Sequence, residues 1–255
     1  MIQGNDLSRH RETIVDHRRG LIDWGLHQNK GRAMDFRSGV VVSALSLAVG
    51  LAAPGCSDGR TSHHAGGSRH LDLTPDQCPP EGTAHDPAGQ ALNDLKNRAN
   101  APTTIDPNVT LAAMLADGGD TNRFRSEQAA TVAGYVVKVM QGGHPESANC
   151  GNLSKRYTDT HIQIGLTPTA PDSQTVVVEV TPHWRETMKA QGVDWGTDTL
   201  KASITGHWVQ VTGWLMFDTA HAGESTNTNT PGVTPWRKTA WELHPITAMV
   251  VDAAR

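Results

Sequence analysis

From residue 130 onward the chain breaks into stretches in which apolar and polar side chains alternate. ATVAGYVVKVMQ (130–141) is rich in Val, THIQIGL (160–166) alternates cleanly, and QTVVVEV (174–180) is a β-branched run. A two-residue period of this kind predicts strands. PHWRETMKAQG follows, with Pro182 at a helix start and Gly192 past its end, the asymmetry expected of helix termini. HWVQVTGWLMFD (207–218) and TAWELHPITAMVV (239–251) predict two more strands. Ahead of these, short helices are expected near residues 90–98 and 108–116, the second opened by Asp106 and Pro107.

The element order is therefore β-β-β-α-β-β. Five strands with a helix between the third and fourth predict a mainly β protein, a five-stranded Greek-key barrel like the OB-fold. The two long connections agree. Residues 142–159 join strands one and two, residues 219–238 join strands four and five, and in OB-folds these two loops frame the ligand face. A β-sandwich is the competing architecture.

The first third reads differently. Residues 1–33 have little periodic pattern. In 34–55, Met34 and Arg37 precede an apolar run and small residues before Cys56, the layout of a secretory leader; a buried helix of similar length is the alternative. Met34 is then the expected start of translation. AAPGC resembles a lipobox, which implies a lipidated Cys56 and a membrane tether, although Ala53 and Pro54 depart from the preferred residues. Plain secretion and an uncleaved anchor are the alternatives. Residues 56–89, rich in Gly, Ser, Pro and His, read as a disordered linker. The folded domain is expected over 90–252.

Composition sharpens this picture. Of the 3 cysteines, lipidation of Cys56 would leave Cys78 and Cys150, an even number suited to an oxidising compartment. They would pair, or stay as two free thiols. Net charge is −4 overall; Lys/Arg and Asp/Glu number 7 and 5 up to Gly55, and 15 and 21 from Cys56 onward, so the latter part carries −6. That balance argues against nucleic acid as a partner, because binding phosphate backbones needs a basic footprint. No H-E-x-x-H, Walker or G-x-G-x-x-G motif occurs, and no cofactor is implied.

The segments GYVVKVMQGG, NC, DTHIQIGL, VVVEVTPHWR, GHWVQVTGWLMFD and WRKTAWELHPIT together resemble a group of uncharacterised bacterial exported proteins. That group has an OB-like domain ending in a W-E-[IL]-H-P strand. The resemblance covers roughly residues 92–251. It implies a fold and export, and it carries no activity.

Alternation assigns faces to the strands. Ile162, Ile164, Val176, Val178, Val180, Val209, Val211, Leu215, Trp241 and Leu243 are expected inward. His161, Gln163, Glu179, Glu242 and His244 are expected outward. The OB-fold resemblance places strand five beside three and three beside two, so His161, Glu179, Glu242 and His244 would share an outer surface. Two imidazoles and two carboxylates suit a divalent metal or acid–base work. Cross-strand Glu–His pairs that merely stabilise the sheet are the plainer reading. Trp208 and Trp214, also outward, could stack on a ligand, with Gln210 between them and Arg237 at the loop edge. The expectation is a binding module for an unidentified ligand or protein partner, with a metal-dependent hydrolase or nuclease as the alternative.

Overall fold

The computed structural model describes residues 72–143 and 145–252. The leader, Cys56 and everything else up to residue 71 lie outside them. Strands β1 (Ala129–Gln141), β2 (Thr160–Gly165), β3 (Val176–Val180), β4 (Trp208–Phe217) and β5 (Trp241–Val251) form a closed barrel in the order β1-β2-β3-β5-β4. The mainly β, five-stranded class expected from element order is the one observed, and β3 does lie between β2 and β5.

β1 closes two sides of the barrel at once. Its first half pairs with β4, from Ala129 opposite Trp214 to Tyr135 opposite Trp208. Its second half pairs with β2, from Tyr135 opposite Gly165 to Gln141 opposite Thr160. The two pairings meet at Tyr135, and a bulge between Val136 and Lys138, within the β2 pairing, supplies the extra twist that such a bend needs. β4 and β5 run antiparallel, with irregularities around Gly213. A Cβ at Gly213 would stand 2.6 Å from the Pro245 carbonyl oxygen, so the two backbones approach closely only because that side chain is absent. β3 and β5 are parallel and share a single register pair, Val178 opposite Leu243.

The barrel interior holds the apolar side chains that alternation sends inward. Val132, Val136, Ile162, Val178, Val209 and Leu243 are each no more than 2% exposed. Two helices lie between β3 and β4, where one was expected. α3 (Pro182–Ala190) is the predicted helix, and α4 (Thr197–Ile204) follows it. In TDTLKASI only Leu200 and Ile204 carry a four-residue apolar spacing, a weak signal diluted by two Thr and a Ser. Both are nonetheless buried in the core cluster.

The helices ahead of the barrel are α1 (Pro87–Lys96) and α2 (Leu111–Met114). α1 starts earlier than expected, because Asp86 caps it by accepting from the Gly89 amide at 2.9 Å and Pro87 occupies its first turn. α2 is shorter than 108–116. Thr110 is its cap, accepting from the Ala113 amide, while Asp106 accepts from Asn108 in a local turn instead.

Residues 72–89 are not the free linker that their composition suggests. The Asp72 carboxylate accepts from the amides of Leu153 and Ser154 at 2.9 and 3.2 Å. Leu73 exchanges hydrogen bonds with Asn152, and Cys78 is disulfide-bonded to Cys150. The partners sit about 70–80 residues away in the β1–β2 loop, so no local pattern announces them. α1 is drawn onto the same loop: Asn93 donates to Glu81 O and Ser147 Oγ, and Lys96 pairs with Glu146 at 2.8 Å.

Candidate functional site

His161, Glu179, Glu242 and His244 do share one face of β2, β3 and β5, but that face is not a surface. His161 is 8% exposed, Glu179 2%, and Glu242 and His244 0%. Alternation reports only which side of a sheet a residue takes; here the far side is roofed by other segments. The loop 142–159 contributes Asn149 and Asp159, α1 contributes Lys96, and the β4–β5 loop contributes Asp218, His221 and Arg237.

The result is a network of buried charge. Arg237 is central, donating to Asp218 Oδ2 and Glu242 Oε2, each at 3.0 Å, and to the carbonyls of Thr239 and Ala240. Asp218 also receives His221 Nδ1 at 2.7 Å. Glu242 receives His244 Nδ1 at 3.0 Å. Glu179 lies between the two imidazoles, 3.1 Å from His161 Nε2 and 3.3 Å from His244 Nδ1. Asp159 accepts from Asn149 at 2.8 Å and stands 3.9 Å from His244 Nε2. Among the described residues, five buried side-chain atoms make no well-aligned hydrogen bond: Asp159 Oδ1, His161 Nε2, Gln163 Oε1, Glu179 Oε2 and His244 Nε2.

Opposed charges set the protonation of this centre. Burial alone would raise the Glu179 carboxyl, but His161 and His244 outweigh it and hold its pKa at about 2. Burial would lower His161, yet Glu179 beside it lifts that imidazole to about 9. His244 is raised too, against burial, by Glu179 and by its hydrogen bond to Glu242. Burial outweighs the neighbouring His244 and pushes Asp159 up to about 6. Burial, then Glu179 and Asp218, raise Glu242 as well. Lys96 loses by burial but is held cationic, first by Glu146, then by Glu179, Asp218 and Glu242.

No protein-family model matches the chain, and no curated protein matches it in sequence. The site is therefore read from its own chemistry.

The donors that converge differ from the expected metal set. Asp159, Glu179 and His244 each bring a ligand atom within 4.8 Å of the others. Glu242 does not join them, because Arg237 and His244 Nδ1 take both its oxygens. His161 stays beside Glu179. Asp159 was absent from the expected set because it precedes β2, where alternation gives no face.

Arg237, expected at a ligand surface, is 1% exposed and its donors are committed internally. Trp214 is half-buried, covered by Arg98 at 5.0 Å from its ring and bound to Asn100 O through Nε1. Trp208, also half-buried, meets Tyr135 edge-on at 5.7 Å. Only Gln210 of that row is exposed, so β4 presents no open pair of aromatic faces.

These protonation states give stability a defined pH dependence in chelator-treated protein. Asp159 is raised from 3.8 to about 6, so its contribution is complete below pH 3.8 and lost as pH rises through 6. His161 is raised from 6.5 to about 9, so its contribution is complete below pH 6.5 and lost as pH rises through 9. Glu179 is depressed from 4.5 to about 2; its contribution holds above pH 4.5 and is lost only as pH falls through 2. Urea unfolding should therefore show stability falling by a few kcal/mol from pH 5 to pH 9. A flat or rising profile would refute the assignments.

Proposed function

We propose that the chain is an exported OB-fold-like binding module, tethered through Cys56, whose ligand enters beside the buried charge network. One observation carries this reading. A cleft of about 410 Å³ opens between α1, the β1–β2 loop and the β4–β5 loop, lined by Asn93, Lys96, Gly143, Glu146, Ala220 and His221. Those are the two connections that border ligands in OB-folds. Its walls set the ionic and amide groups of Lys96, Glu146 and Asn93 among the apolar Leu92, Pro145 and Ala148, which suits a small ligand carrying both polar and apolar parts. The leader pattern in 34–55 and the Cys78–Cys150 bond support export, since such bonds persist in oxidising compartments.

The test fills the cleft. Ala220 is exposed at its rim, so Ala220→Trp should block it without touching the core. Ligand-observed NMR would use a fixed set of amino acids, uronic acids, sugar phosphates and short peptides. At least one probe should bind the parent chain and be lost in the variant at unchanged melting temperature. Binding by none, or binding that ignores Ala220→Trp, would sink the reading.

A metal-dependent hydrolase is the second reading, favoured by the convergence of Asp159, Glu179 and His244. Access counts against it: all three are at most 2% exposed, whereas a substrate must touch its catalytic groups.

A further inference from the structure

We propose that Asp159, Glu179 and His244 hold one divalent transition-metal ion of the zinc class, where β2 and β3 meet β5. Their donor atoms lie within 4.8 Å of one another. Asp159 Oδ1, Glu179 Oε2 and His244 Nε2 are all buried and make no well-aligned hydrogen bond. Native proteins leave few such atoms unmatched, and here three belong to the three residues whose ligand atoms converge.

The orientation of His244 is the second argument. Its Nδ1 faces the Glu242 carboxylate at 3.0 Å, which keeps a proton on Nδ1, so that the ion would bind at Nε2 in place of that nitrogen's proton. Histidine ligands are characteristically held in this way, the far nitrogen bound to a carboxylate. From Asp159 Oδ2, the oxygen that also accepts from Asn149, Nε2 stands 3.9 Å away. That is too long for a hydrogen bond, yet two ligands on one ion at about 2.0–2.2 Å each are about 3–4 Å apart. The supporting groups are themselves fixed, Glu242 by Arg237 and Asp159 by Asn149. An imidazole with two carboxylates and no thiolate selects zinc, manganese or iron over calcium or a soft monovalent ion. His161, paired with Glu179 through Nε2 at 3.1 Å, flanks the set without joining it.

This site is independent of whether the neighbouring cleft binds a ligand, and its test reads metal alone. The full chain, without a His tag, is stripped with chelator and titrated with Zn²⁺ and with Co²⁺. We expect one ion per chain, a visible cobalt spectrum of nitrogen and oxygen ligands without thiolate charge transfer, and a higher melting temperature. Asp159→Asn retains the shape of the side chain and should bind at least tenfold more weakly. No uptake by the parent chain would overturn the proposal and leave a centre filled by water. Equal affinity in Asp159→Asn would overturn it as well. Should that variant fail to fold, the triple variant His63→Ala, His64→Ala, His70→Ala decides. Uptake retained there supports the buried site, and uptake lost assigns the metal to the N-terminal histidines.

Discussion

Arg237→Ala should cost about 3–5 kcal/mol of stability, the range found when one partner of a buried ion pair is removed. The whole folding free energy of an ordinary domain is about 5–15 kcal/mol, so the variant would sit near the edge of folding. The reason lies in what remains. Asp218 and Glu242, 2% and 0% exposed, would lose their shared counter-charge, and the Thr239 carbonyl would lose the Arg237 donor while that of Ala240 would keep only the Asp218 amide. Glu242 already has its pKa raised by burial and by Glu179 and Asp218, so it has little margin. Arg237→Lys should recover only part of the loss, because one ammonium cannot reproduce a planar fork reaching both carboxylates. Urea unfolding at pH 7 would measure this, and a loss under about 1 kcal/mol would show that the network is solvated after all.

The second large effect concerns the Cys78–Cys150 bond, which closes a loop of 72 residues. Loop-closure entropy for that length predicts a contribution of about 4 kcal/mol. The double variant Cys78→Ser, Cys150→Ser should therefore unfold at markedly lower denaturant. The loss has a place as well as a size. The bond fastens residues 72–86 and α1 to the 3-10 turn Ser147–Asn149, beside Lys96–Glu146. Amides of α1 should exchange fastest in the variant while those of β1 and β4 stay protected. Equal midpoints, or loss of protection spread evenly over the barrel, would contradict this role.

The barrel was legible in the sequence because its strands obey a two-residue period, and its long loops because they interrupt that period. All five expected strands begin and end within one or two residues of the observed ones, since Val and Ile runs stop where pairing stops. The burial of the site was not legible. A side chain on the outer face reads as polar whether water or another segment lies over it, and part of the cover comes from α1, about 150 positions away from Glu242 and His244. Glu242 and His244 therefore look like a solvated strand face in TAWELHPIT, and become interior only once α1 and the two loops descend on them. Asp218 and His221 were visible as a D-x-x-H pair closing strand four; without the fold nothing ties that pair to Arg237. Asp159 carried no signal beyond preceding a strand.

A closed barrel is a hoop, and a hoop fails where it is spliced. Between β3 and β5 the splice is one parallel register pair, Val178 with Leu243. Next to it stand Glu179 on one strand and His244 on the other, 3.3 Å apart, with Glu242 and Arg237 behind them. The circumference is thus fastened by charge at the point where backbone pairing is thinnest. Anything that neutralises or pulls apart those groups acts as a latch release, parting β3 from β5 before the remaining ladders give way.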